Sequence, residues 1–227
     1  MVFTHHGINS LSRNGGSGEE TVIIGGREYR TVIMPDGNTW LAENLDYKFD
    51  GCTFAPSERP ESPAAWYYSG ISDDRYSGLL YNWYAVKYLN DHKNTLLPQG
   101  WHVPTSSEYD KLFKSIDSNY VNSNVGTNNT DAGGKLKCLD YYDSSYFPTG
   151  WNGTDDYGFS VSPCGFYRED RFVGRNDAAY IWTADSIFTD NAKFLYFPKE
   201  YNNILTKSMH QKCACSLRLV NATATEE

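Results

Sequence analysis

Apolar positions near the N-terminus fall in short runs that turn residues separate. Thr21 to Ile24 is a β-branched run that ends at two glycines, and Tyr29 to Met34 leads into Pro35-Asp36-Gly37-Asn38, a sequence typical of tight turns. The apolar pattern resumes from Thr39 to Ala42. The spacing therefore predicts paired strands, with a hairpin turn at residues 35–38.

Two later segments have the periodicity of amphipathic helices. The first is a short helix over residues 82–90, with Trp83, Val86 and Leu89 on one side. The second begins after Pro104 with a capping-box sequence at residues 105–108. Its apolar positions then recur at i, i+3, i+4 and i+7, namely at Tyr109, Leu112, Phe113 and Ile116. We predict that both helices pack one face on a core.

The rest of the chain lacks such periodicity. Residues 49–74 contain three prolines and few aliphatics, and residues 119–131 are rich in Asn and Ser, so both predict loops. Beyond Tyr157 the pattern predicts short strands, the last at residues 216–220, which could pair with the first strand. This order predicts one α+β domain over residues 21–221, preceded by a linker-like extension (1–20) and followed by a tail (222–227).

Composition excludes several kinds of partner. The 227 residues are 15% aromatic, with 18 Tyr and 6 Trp, but only 21% charged, and the net charge is −8. An acidic chain does not attract nucleic acid or an anionic membrane by its overall charge, and no segment has the apolar length of a membrane span. The N-terminal residues also predict no secretory signal. Nucleotide loops, catalytic triad orders and zinc signatures do not occur, so we predict no cofactor and no metal.

The number and spacing of the cysteines indicate no clear disulfide pattern. They are Cys52, Cys138, Cys164, Cys213 and Cys215, and an odd number leaves at least one unpaired within a monomer. Cys213-Ala214-Cys215 is one residue shorter than a redox C-x-x-C motif. We expect reduced structural thiols, with one or two disulfides as the alternative.

Short sequence motifs in a fixed order carry a family resemblance. They are Tyr81 to Ala85, Pro98 to Thr105, Ala132 to Lys137, Gly150 to Asn152, Gly158 to Gly165, Trp182-Thr183 and Ser216 to Val220. With a further match over residues 34–45, the chain resembles the Fibrobacter succinogenes major paralogous domain family over about residues 28–220. It departs from the family at Cys164, where Gly is common, and at residues 181–184, where W-W-S-S is more usual.

The resemblance implies a C-type lectin-like fold, in which small antiparallel sheets and two short helices support a long, variable loop region. It also implies a noncatalytic binding module on a phage tail or a bacterial cell surface, hence an extracellular location. Some related domains are variable proteins of diversity-generating retroelements, which change surface residues near the C-terminus. The expected partner is a cell-surface protein or glycan, and the expected assembly is a homotrimer or another homo-oligomer.

The segment from Phe166 to Met209 is the candidate binding surface. It mixes Tyr, Trp and Arg, which give large contact areas at low entropic cost, with adaptable Asn and Ser. The predicted ligand-binding residues are Tyr167, Arg168, Asp170, Arg171, Asn176, Asp177, Tyr180, Asp185, Lys193 and Tyr201. The protein is thus predicted to be a phage receptor-binding protein or a bacterial surface adhesin.

Two other classes stay open. One is a structural subunit of a fibre or pilus. The other is an oxidoreductase similar to the formylglycine-generating oxygenases, which would use Cys213 and Cys215, although the sequence offers no base to form a thiolate. His102 lies in a scaffold motif and is predicted to be structural. The E-P-N, Q-P-D and W-N-D motifs of calcium-dependent lectins are absent, so we expect no such sugar site.

Overall fold

The computed structural model describes residues 20–68, 77–124, 130–139 and 150–222. Within these residues the strands are β1 (Thr21–Ile24), β2 (Arg27–Ile33), β3 (Thr39–Leu41), β4 (Thr53–Phe54), β5 (Ala64–Trp66), β6 (Leu80–Asn82), β7 (Trp101–His102), β8 (Cys164–Arg168), β9 (Arg171–Arg175), β10 (Ala178–Ile187), β11 (Asn191–Pro198), β12 (Leu205–His210), β13 (Ala214–Cys215) and β14 (Val220–Asn221). The helices are α1 (Trp83–Asp91), α2 (Lys93–Leu96), α3 (Ser106–Ile116) and α4 (Ala132–Leu136). The described residues therefore form a mostly β structure with a few short helices.

The strands form two sheets. The smaller has the order β1-β2-β3-β14-β7, so the end of the domain lies between strands from its first half. The larger has the order β12-β11-β10-β8-β13-β6-β5-β4, with β9 also paired to β8. Pairing is antiparallel except between β10 and β8 and between β4 and β5.

Strands β10 and β11 separate two hydrophobic clusters because their side chains alternate between the two faces of the larger sheet. Trp182 and Phe194 lie in a cluster with α1, whereas Ile181 and Leu195 lie in a second cluster with α3. Both faces are therefore buried along much of these strands, and α1 and α3 cover opposite sides. This arrangement explains why residues 194–197 are all apolar or aromatic.

Helix α3 follows from its local sequence. The Thr105 side chain accepts from the backbone N–H of Glu108, and the Glu108 carboxylate accepts from the backbone N–H of Thr105. Four apolar positions of α3, Tyr109, Leu112, Phe113 and Ile116, are buried. The predicted capping box and apolar face are thus confirmed, as is α1, which begins after its N-cap Asn82.

The closing segment passes through the core and carries a fully buried arginine. The Arg218 guanidinium donates to Asn44 Oδ1 at 3.0 Å and to the carbonyls of Leu41, Phe159 and Ser160. Burial lowers the pKa of Arg218 to about 10, so it stays charged at neutral pH. A buried charge with this many acceptors is compensated, and it ties the N-terminal strands to the closing segment.

The structure corrects several predicted elements. The closing segment pairs with β3 and β7 and not with the first strand, because β2 and β3 lie between β1 and β14 in the sheet. Part of the loop predicted over residues 49–74 forms β4 and β5. Beyond Tyr157 the described residues form seven strands, β8 to β14, of which β10 and β11, with ten and eight residues, are longer than the short strands expected. The extension before residue 20 and the tail beyond 222 lie outside the described residues.

Candidate binding surface

Four neighbouring strands of the larger sheet place aromatic and cationic side chains in one row. Phe166 on β8 lies 4.3 Å from Tyr180 on β10, and Tyr180 lies 5.3 Å from Tyr196 on β11, measured between ring centroids. Arg168 lies over the ring of Phe166 at 5.9 Å, and the Lys207 Nζ on β12 lies 4.7 Å from the centroid of Tyr196. We call Phe166, Arg168, Tyr180, Tyr196 and Lys207 the tyrosine row.

The register of the sheet creates this row. Tyr180 and Tyr196 are directly opposite each other on antiparallel strands, and the next pair inward is Trp182 with Phe194. Trp182 and Phe194 are buried, whereas Tyr180 and Tyr196 are half-buried where the same face leaves the core. A cross-strand aromatic pair of this kind is a rigid apolar surface with polar edges.

Gly174 gives Tyr180 its position. The backbone φ of Gly174 is +76°, and a Cβ on residue 174 would approach the Tyr180 ring to 3.3 Å. A side chain at residue 174 would therefore be strained by the backbone and would crowd the ring. The short β9 strand can approach the row only because this residue is Gly.

The phenols of the row stay protonated. Partial burial, together with the nearby Tyr196 and Asp177 and against the opposing effect of Arg168, raises the pKa of Tyr180 to about 12. Burial and Asp177 also raise the pKa of Tyr196. Within the described residues neither hydroxyl has a hydrogen-bond partner, so both are available as donors and acceptors.

Three predicted site residues meet at this row. Arg168 and Tyr180 belong to it, and the exposed Asp177 is close enough to influence the pKa values of both tyrosines. Asn176 lies beside Asp177 in the turn before β10, with φ +69° and its backbone N–H bonded to the carbonyl of Pro163 at 2.9 Å. Its conformation makes it a turn residue next to the row.

The β8–β9 hairpin, whose strand β8 carries Arg168, holds three more predicted residues. Tyr167 is buried and packs on Trp66 at 4.9 Å and on Phe172 at 4.7 Å. Asp170 pairs with Arg59 at 3.3 Å, and Arg171 is exposed at the hairpin end. Tyr167 alternates to the face opposite Phe166 and Arg168, so it cannot share one contact surface with Tyr180. Arg171 is directly opposite Arg168 on the paired strands and lies on the same face as Arg168.

The remaining predicted residues lie elsewhere. Asp185 and Lys193 both reach Ser106 at the start of α3, on the far face of the sheet from the row. Tyr201 is 64% exposed in the loop after β11. That loop is fixed by the buried Lys137, whose Nζ donates to the carbonyls of Pro198 and Tyr201 at 2.7 and 2.8 Å. The ten residues therefore divide among four places.

Sequence reasoning missed Tyr196 and Lys207 as individual site residues. The sequence gives little signal for Tyr196, because residues 194–197 are all apolar or aromatic and show no alternation of polarity. Lys207 lies on β12, a strand that the sequence pattern does not predict. Lys207 and its neighbour Ser208 are both polar and exposed, so the sequence does not show which face of the strand each one occupies. Both residues enter the row only through the long-range pairing of β10, β11 and β12.

The alternative catalytic groups occupy structural positions. His102 Nε2 lies 2.7 Å from Glu108 Oε1 beside the capping box. Cys213 and Cys215 are buried, and burial raises the pKa of both thiols, which opposes thiolate formation. All five cysteines are among the described residues, and none of them forms a disulfide. In the described part of the chain no group of three or more His, Cys, Asp or Glu is arranged to hold a metal ion, and no helix is long and apolar enough to cross a membrane.

These features define a mostly β domain with a surface-exposed aromatic and cationic row. The chain belongs to the Fibrobacter succinogenes major domain family, whose model matches residues 36–221. No curated protein and no solved structure matches the chain. The family match confirms the resemblance carried by the sequence motifs.

Proposed function

We propose that the protein is a noncatalytic recognition module that binds a cell-surface ligand at the tyrosine row, as a phage receptor-binding protein or a bacterial surface adhesin. We also assign its arrangement of sheets and helices to the C-type lectin-like fold. The observation that carries the proposal is the Tyr180–Tyr196 pair, half-buried side by side with Arg168 and Lys207 at its two ends.

The chemistry of the row supports binding. Tyr and Arg are the residues that most often carry binding energy at protein interfaces, because they combine apolar area with directional hydrogen bonds. The row is held by cross-strand pairing and by the buried Trp182 and Phe194 beneath it. A surface held in this way loses little entropy when a ligand binds.

The family supports the same function. The sequence motifs that define the family, such as Pro98 to Thr105, form helix caps and core contacts, whereas the row lies on strands between those motifs. A constant frame that carries a distinct surface suits recognition. It also suits the variable-protein hypothesis, in which a retroelement changes the surface residues.

A cell-binding experiment tests the proposal. Fluorescently labelled protein is incubated with a panel of intact bacterial cells and bound fluorescence is measured. We expect Tyr196→Ala to reduce binding at least tenfold and Tyr180→Phe with Tyr196→Phe, which keeps both rings, to reduce it less. Tyr157→Phe, at a partly buried tyrosine outside the row, is the matched control.

Thermal unfolding of each variant shows whether the fold is kept. Unchanged cell binding by folded Tyr196→Ala protein contradicts the proposed site. If no cells are bound while light scattering shows concentration-dependent growth into fibres, the protein is a structural subunit and the recognition function is wrong.

A further inference from the structure

The polar groups around the tyrosine row combine three hydrogen-bonding types. The guanidinium of Arg168 and the ammonium of Lys207 only donate, the Asp177 carboxylate accepts, and the hydroxyls of Tyr180 and Tyr196 do both. All surround one aromatic surface. A polyhydroxylated ligand matches this set, because each of its hydroxyls donates and accepts and its ring carbons can pack on tyrosine faces.

The length of the row suits more than one unit of such a ligand. Arg168 and Lys207 lie on β8 and β12, which are separated by β10 and β11. Three strand spacings of about 4.8 Å place the two cations roughly 14 Å apart across the sheet. A ligand that reaches both ends must therefore extend across the strands.

The charge of the row favours an anion. Residues 166–212 contain seven basic and six acidic residues, whereas the rest of the chain contains 13 basic and 22 acidic residues. The segment is therefore close to neutral within an acidic protein. At the Arg168 end, Glu169 lies 3.9 Å from Arg168 and 3.5 Å from Arg171, which is opposite Arg168 on the hairpin. Three cations, Arg168, Arg171 and Lys207, thus accompany two acids, Glu169 and Asp177, so the surface has an excess of positive charge that an anionic ligand would match.

We infer that the ligand of the tyrosine row is an anionic saccharide, whose ring faces pack on Tyr180 and Tyr196 and whose carboxylate or sulfate groups pair with Arg168 and Lys207. The inference rests on the proposed function, since it names the ligand class of the same site. Asp177, which lies near both tyrosines, accepts from sugar hydroxyls. An acidic sugar chain thus satisfies every polar group of the row.

An array of purified glycans provides the first test. The full chain is applied to neutral, carboxylated and sulfated glycans, and each retained carboxylated glycan is also presented after chemical reduction of its carboxyl groups to alcohols. We expect retention of anionic glycans only, and loss of retention after carboxyl reduction. Equal retention of neutral glycans, or of the reduced forms, overturns the inference.

Charge-removing variants provide the second test. We expect Arg168→Met and Lys207→Met each to weaken binding of a retained glycan about tenfold in low salt, because a hydrogen-bonded ion pair is lost. The loss should shrink as salt increases, since salt screens exposed charges. Lys114→Met removes an exposed charge on α3, across the sheet from the row, and should leave affinity unchanged. If neither row variant differs from the Lys114 control, the inference is wrong.

The two proposals can fail separately. If the array retains nothing while intact cells are bound through Tyr196, recognition stands and the saccharide inference falls. If the array retains neutral glycans through Tyr196, the site stands and its anionic selectivity falls. If neither cells nor glycans are bound, both proposals fall.

Discussion

Asp185 binds the first residue of helix α3 from across the structure. Its Oδ2 accepts from both the backbone N–H and the Oγ of Ser106, at 2.6 and 2.7 Å. Asp185 belongs to the long strand β10, and neighbouring Ala184 donates its backbone N–H to Pro104 at 2.8 Å. The larger sheet therefore satisfies an N–H group that the helix itself leaves unpaired, and its carboxylate also suits the positive end of the helix dipole.

We expect Asp185→Ala to destabilise the fold without affecting the ligand. Removal of the carboxylate leaves the Ser106 N–H without its acceptor and should lower the free energy of unfolding by about 1–2 kcal/mol. Asp185→Asn keeps an acceptor and should cost less. Urea denaturation measures both changes. If instead cell binding is lost at unchanged stability, Asp185 contacts the ligand, as the sequence alone suggested.

The His102–Glu108 pair should make stability depend on pH. The hydrogen bond that His102 donates to Glu108 raises the pKa of His102 above its usual 6.5. The contribution of the charged imidazole to stability is therefore complete below pH 6.5 and is lost as pH rises through the raised value. Burial raises the pKa of Glu108, but hydrogen bonds with His102 and Thr105 outweigh it and lower the value to about 2. The contribution of the ionised Glu108 carboxylate to stability is present above pH 4.5 and is lost as pH falls towards 2.

The pair is therefore fully formed between about pH 4.5 and 6.5. Glu108→Gln retains an acceptor for the capping box but removes the charge that faces His102. We expect the variant to be less stable than the parent by about 1 kcal/mol at pH 5.5 and the difference to shrink at pH 9, as measured by urea denaturation. A difference that stays the same at both pH values would show that His102 is not ionised in the pair.

Local sequence predicted the elements whose causes are local. The hairpin follows from the turn at residues 35–38, and α3 follows from a capping box and four apolar positions within twelve residues. Which strands pair with each other has no such local cause. Nothing near Val220 in sequence indicates that it pairs with both Trp40 and His102, because those pairs are selected by packing across the whole domain.

The difference between local and long-range causes also explains which residues of the candidate site could be predicted from the sequence. Tyr180 and Arg168 were predicted because Tyr and Arg are common in recognition surfaces, but residue type does not show which face of a strand a side chain occupies. Tyr167 and Arg168 are adjacent in sequence and point to opposite faces, one buried and one exposed. In a sheet buried on both sides, the apolar alternation that would distinguish the two faces is absent.

Tyr109→Phe should leave the protein as stable or make it more stable. The Tyr109 hydroxyl is buried against Trp40 and Phe113 and has no hydrogen-bond partner among the described residues. Its desolvation is therefore not compensated, and its removal should gain up to about 1 kcal/mol. Tyr120→Phe is the matched control, because the Tyr120 hydroxyl donates to Asp110 at 3.1 Å and its loss should be destabilising. Destabilisation of Tyr109→Phe by more than about 1 kcal/mol would indicate a bound water or another partner for that hydroxyl.

Thiol labelling separates the binding function from the enzyme alternative. Burial raises the pKa of Cys213 above its usual 9 and that of Cys215 further, so almost no thiolate forms at pH 8. We expect iodoacetamide to label both at least about 100-fold more slowly in the native protein than in urea-unfolded chain, with the sites resolved by peptide mass spectrometry. Half-exposed Cys52, whose pKa burial raises to about 12, should also be slow. Rapid native labelling confined to Cys213 or Cys215 would reveal an activated thiol, and would favour an oxidoreductase over a recognition module.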